Sequence, residues 1–136
     1  TLALMHMKQL FYISTFLFLS SCTDRRTSDY ETIINKVDNI KIEFKSLNKT
    51  VELNKEYVPM FKEILTRNIE PTVQQKFISD TQVDFYSNGQ KVGFLIINNN
   101  PEMSFVNFGS DKLNFGFGLT YGIGMYLDEI KYNSQQ

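Results

Sequence analysis

The chain has 136 residues and a mass of 15.9 kDa, room for one domain and not two. Hydrophobic residues at 42% and charged residues at 21% exclude a disordered acidic tail and a polytopic membrane protein. With 14 basic and 15 acidic residues there is no electrostatic case for nucleic acid, and one cysteine and one histidine exclude an internal disulfide and a Cys/His zinc cluster.

The chain opens on an address. Met7-Lys8-Gln9 is a short basic start, and Leu10 to Leu19 follows with no charge. Ser20-Ser21-Cys22 comes next, and then the polar run Thr23-Asp24-Arg25-Arg26. A basic start, a short apolar stretch and small residues at a cut site form a secretory signal. The apolar stretch is well below the ~20 residues that span a bilayer. Either Met5 or Met7 serves as the start in this reading, with 1–6 as an upstream extension.

Leu19-Ser20-Ser21-Cys22 resembles the lipobox of bacterial lipoproteins, an aliphatic residue and two small ones before a cysteine. The resemblance covers residues 7–22. It implies that signal peptidase II removes residues 1–21 and that Cys22, lipidated with acyl chains such as palmitate, becomes the first mature residue. Each buried acyl CH₂ contributes roughly 0.8 kcal/mol, so the two or three chains of this family hold a protein on a membrane without spanning it. The expected location is the bacterial cell envelope, outer membrane rather than inner.

Cleavage removes His6, so the mature chain carries no histidine and its one cysteine is acylated. That excludes Ser-His-Asp and Cys-His nucleophiles and His-bearing zinc sites. Carboxylate pairs, Ser-Lys dyads and all-oxygen metal sites remain open, so an enzyme is disfavoured and the expectation is a protein that is not one.

Residues 23–30 are polar and without period, and 31–38 read as a short helical turn or as more of the same tether. The lipidated cysteine and tether are placed at 22–37 and a single domain at 38–136. Ile40, Ile42 and Phe44 alternate with Lys41, Glu43 and Lys45, a half-buried strand. Val51 and Leu53 begin a return strand, and Asn54 is placed to cap a helix. Tyr57, Phe61, Ile64 and Leu65 fall on one face of that helix, which should stop before Pro71. Val83 and Phe85 start a strand, Asn88-Gly89 is a hairpin signal, and Val92 to Ile97 is a near-continuous apolar strand. Met103 and Phe105 alternate with Ser104, Val106 and Phe108, and Leu113, Phe115 and Phe117 form a last strand. Ile123, Tyr126, Leu127 and Ile130 return to helical spacing.

The order β-β-α-β-β-β-β-α with tight turns predicts an α+β fold. It is a two-layer sandwich, an antiparallel sheet with two helices on one face. If Met103 and Phe105 face the helices, Val106 and Phe108 lie on the open face as a candidate interaction surface.

Three motifs reduce to structure. The Gly-rich run from Gly116 to Gly124 lacks dinucleotide-fingerprint spacing and a P-loop lysine, and reads as close helix–sheet packing with a bend where the chain turns. Asp80 to Asp84 lacks the glycine and glutamate of a calcium loop. Asn48-Lys49-Thr50 matches a glycosylation sequon that a bacterial lipoprotein would not use.

The expected function is a lipid-anchored, non-catalytic binding or interaction module, monomeric, with an envelope protein or a glycan as partner and no cofactor or metal. The alternative is a small envelope hydrolase acting on glycan or peptidoglycan. It needs two carboxylates about 5–10 Å apart, and the sequence singles out no such pair.

Overall fold

A computed structural model describes residues 24–98, 105–118 and 121–135. The first described element is a helix where a tether was expected, α1 (Arg25–Asn35). The side chain of Asp24 accepts the Arg26 backbone N–H at 2.9 Å and caps its first turn. Tyr30, Ile34 and Val37 are buried at i, i+4 and i+7, so this segment is part of the domain and not a linker. The boundary at 38 is corrected accordingly.

Strands β1 (Asn39–Phe44) and β2 (Lys49–Glu52) form the first antiparallel pair, joined through a 3₁₀ turn over Lys45–Leu47. Asn48 closes that turn with φ of 50°, a conformation asparagine tolerates. A second 3₁₀ turn, Lys55–Tyr57, leads into α2 (Val58–Thr66). Asn54 precedes that turn without capping it; its Nδ2 donates to Glu56 Oε1 at 3.1 Å instead. Pro59 sits in the first turn, where no intrahelical N–H is lost. Val58, Phe61 and Leu65 are buried, but Tyr57, expected in the core, is 46% exposed because the 3₁₀ turn rotates it off the buried face.

Four further strands follow: β3 (Thr81–Ser87), β4 (Gln90–Ile97), β5 (Phe105–Gly109) and β6 (Asn114–Gly118). The β3–β4 turn takes positive φ at both Asn88 and Gly89, 51° and 79°, as the Asn-Gly pair predicts. A last helix, α3 (Tyr121–Ser134), buries Ile123 and Leu127.

The six strands form one antiparallel sheet in the order β2-β1-β3-β4-β5-β6. β2 and β3 each run antiparallel to β1 and so parallel to one another, which is why a helical crossover connects them. Ile42, Val83, Leu95, Phe108 and Phe115 stand side by side across the sheet, and Phe44, Thr81, Ile97, Val106 and Phe117 form the next row. Both rows share one buried cluster with Tyr30, Ile34, Phe61, Leu65, Ile123 and Leu127, so all three described helices cover the same face. The α+β two-layer architecture is the expected one, with an additional helix.

Val106 and Phe108 are therefore not on the open face. Both are fully buried beneath the helices, and Phe105 and Asn107 take the opposite side of β5. The register read from the sequence is off by one residue, which exchanges the two faces of a strand.

Candidate binding surface

The open face of the sheet is not a bare platform. Between α2 and β3 the chain forms a strap that joins the free edge of β6, where Thr72 and Gly116 exchange hydrogen bonds of 2.7 and 2.8 Å. It then passes under β5. The Gln75 backbone N–H donates to Asn107 Oδ1 at 3.0 Å, and Asn107 Nδ2 donates back to the Gln75 carbonyl. Phe77 meets Phe105 edge-on with ring centres 6.3 Å apart. Gly116 is required here: a Cβ on it would lie 2.4 Å from the Phe105 ring and 2.8 Å from the Val73 carbonyl oxygen. The sequence suggested helix–sheet packing for this glycine; its close approach is instead to the strap and Phe105 on the opposite face.

Asp80 secures the far end of the strap. Burial alone would raise its pKa. Lys131 Nζ at 2.9 Å and the Ser46 N–H at 2.6 Å outweigh that and hold the carboxyl below its usual range. A structural ion pair thus accounts for the acid that opens the rejected calcium motif.

The uncovered part of this face is polar and internally paired. Asp84 accepts from Lys91 Nζ at 2.8 Å and from Gln82 Nε2 at 2.9 Å. Lys41 and Lys91 lie over the rings of Tyr86 and Phe94, 5.0 and 5.2 Å from their centres. These contacts hold Asp84, Lys41 and Lys91 within the face.

Edge strand β2 offers more. Leu53 N–H bonds the Ile40 carbonyl at 2.9 Å, so Leu53, Val51 and Lys49 point their backbone groups at β1. Antiparallel alternation turns the N–H and C=O of Thr50 and Glu52 outward along the free edge. A depression flanks the strand on each side. On the open-face side a cleft of about 490 Å³ is lined by Asp38, Asn39, Lys41, Glu52, Lys55 and Tyr86, and Asn39 Oδ1 is buried in this region without a hydrogen-bond partner. On the helix side a groove of about 310 Å³ runs between β2 and α3, with Val51, Tyr57, Tyr126 and Ile130 in its walls. Burial raises the Tyr126 phenol, and the neighbouring Tyr57 and Glu129 raise it further, so the groove carries a neutral hydroxyl.

A strand read only as a short return strand is thus the best-formed candidate site. Tyr57 was the available signal, an aromatic one residue ahead of the helix it was assigned to. Cys22 lies outside the described residues. Among the described residues no group of His, Cys, Asp or Glu could hold a metal ion, and no helix is long and apolar enough to cross a membrane.

No protein-family model matches the chain, and no curated protein matches it. Its fold is similar to that of a protein of Clostridium perfringens, provisionally designated a lipoprotein and known from its crystal structure. The TM-score is 0.60 at 10% identity, covering 81% of this chain and 93% of that one. At that identity the likeness is one of fold.

Proposed function

We propose that the protein is a bacterial lipoprotein, anchored through Cys22, whose domain is a non-catalytic binding module of the cell envelope. The observation that carries this reading is a junction. The signal-like segment ends at Leu19-Ser20-Ser21-Cys22, two residues ahead of the Asp24 side chain that caps α1, a helix whose Tyr30 and Ile34 are buried in the core. The Clostridium perfringens protein of similar fold, itself designated a lipoprotein, supports the same reading. Outer-membrane rather than inner-membrane residence and a monomeric state belong to this proposal.

An alkyne fatty acid supplied to cells should label the protein, and Cys22→Ala should abolish the label and move the protein to the soluble fraction. Label that survives the substitution overturns the anchor.

The partner class that the site fits is an extended peptide segment of an envelope protein. Added to β2, it would pair with the outward groups of Thr50 and Glu52 and place alternate side chains in the polar cleft and the aromatic groove. Differential panning of a random peptide library tests this. Thr50→Pro removes an outward N–H and keeps the ladder to β1, since proline is tolerated on edge strands. Peptides enriched on the native protein should show alternating apolar and polar residues and lose capture by Thr50→Pro. Equal capture by both proteins overturns the edge as the site.

The hydrolase reading has one observation in its favour, since Asp38 and Glu52 line the same cleft. Both residues are exposed, whereas a carboxyl that serves as general acid near neutral pH is withdrawn from water. Binding is the chemistry that the cleft supports.

A further inference from the structure

We infer that the end of the domain carrying the start of α1 and the beginning of the strap is a lipid-facing surface, seated directly on the membrane. The inference rests on the anchor at Cys22 and adds an orientation to it. Only Thr23 separates Cys22 from the helix cap Asp24. Two peptide units reach at most about 7 Å, so a lipidated Cys22 holds this end of the fold within the depth of the headgroups. A 16-residue tether, as the sequence alone suggested, would have left the domain free to tumble; the helix consumes it.

The surface brought down is defined by contacts. Arg26 Nη2 pairs with Asp24 Oδ2 at 2.9 Å and also donates to the Pro71 carbonyl at 3.3 Å, which fastens the first turn of α1 to the strap. Two residues further on, Val73 is 75% exposed, an apolar side chain that the fold leaves in water. Arg25 on the first turn of α1 and Lys76 on the strap are exposed, with Asp29 and Glu70 as exposed acids on the same two segments. The Arg26 guanidinium neutralises Asp24. An exposed apolar tip on a surface whose acids and bases balance, held at headgroup depth by the short tether, suits a lipid interface. A tethered surface needs little intrinsic affinity, because its encounter with the bilayer is intramolecular.

The orientation leaves the β2 edge clear of the membrane if the domain stands on this end. The opposite end of α1, at Lys36, lies about 16 Å along the helix axis.

The test uses the full lipidated protein, extracted and reconstituted into vesicles of phosphatidylethanolamine with a phosphatidylglycerol minority. Cys22 is the chain's one cysteine, and acylation blocks it, so a single new cysteine takes a thiol-reactive environment-sensitive dye alone. With the dye at Val73→Cys, iodide quenching should be lost, and quenching by doxyl lipids gained, relative to the detergent-solubilised protein. With the dye at Lys36→Cys, iodide quenching should stay as in solution. Vesicle flotation separates the two claims. Protein that fails to float removes the anchor and the orientation with it. Protein that floats while the Val73 and Lys36 dyes are equally open to iodide keeps the anchor and overturns the lipid-facing surface.

Discussion

Replacing Tyr30 with alanine should bring the domain to the edge of unfolding. Its ring is fully buried and touches three others, with centres 4.9 Å from Phe108, 5.3 Å from Phe115 and 5.7 Å from Phe117. Its hydroxyl donates to the Leu65 carbonyl at 3.0 Å, which ties α1 to the last turn of α2, and burial pushes the phenol pKa far up, so it stays a donor at any working pH. Truncating a buried aromatic costs about 3–5 kcal/mol, and the lost hydrogen bond adds about 1 kcal/mol. A domain of this size has about 5–15 kcal/mol in total. Urea denaturation should show that loss for Tyr30→Ala and only about 1 kcal/mol for Tyr30→Phe, which keeps the ring. A chain beginning at residue 38 lacks Tyr30, Ile34 and Val37 and should fail to melt cooperatively. Native melting of that truncated chain would mean that α1 lies on a core complete without it.

The contrast between α1 and β1 explains what the sequence made legible. Ile40, Ile42 and Phe44 alternate strictly with charged residues, because one side of β1 meets the helices and the other meets water. The pattern and the structure coincide. In α1 the buried face is narrow, Tyr30 and Ile34 with Ile33 half-covered beside them, set among eight polar residues. The spacing is helical, but so few apolar positions resemble a linker until the aromatic cluster that receives Tyr30 is known.

The candidate site was hidden for a different reason. That β2 lies at the edge follows from sheet order, and nothing within Lys49 to Glu52 encodes its neighbours. The strap was hidden because Val73, Phe77 and Ile78 follow neither a helical nor a strand period. Each is placed by what it touches or fails to touch. The same strap explains the error in β5: it gives that strand apolar surroundings on both sides, so Phe105 and Phe108 are equally plausible core residues by composition.

Phe108→Ser and Phe105→Ser should therefore differ sharply, with Phe108 the costlier. Phe108 is fully buried between Leu95 and Phe115 in the sheet, beneath Tyr30, and its ring lies 3.0 Å from where a Cβ on Gly93 would stand. No neighbour can move into the space it leaves without breaking the close pairing of β4 and β5. Serine there loses about 3–5 kcal/mol of packing and adds a hydroxyl whose burial costs about 1–3 kcal/mol. Most of the protein should be unfolded at room temperature. Phe105 is half-buried, held by Phe77 and by the bare backbone of Gly116. Serine there should cost about 1–2 kcal/mol, below the value for a fully buried side chain, while the core behind β5 stays closed. Its characteristic effect should be local: faster amide exchange and proteolysis over residues 72–79 as the strap loses its aromatic contact. Equal destabilisation by the two substitutions would make the strap as integral to stability as the helices. The reverse order would put β5 one residue out of the register given by Leu95 opposite Phe108, returning Val106 and Phe108 to the open face.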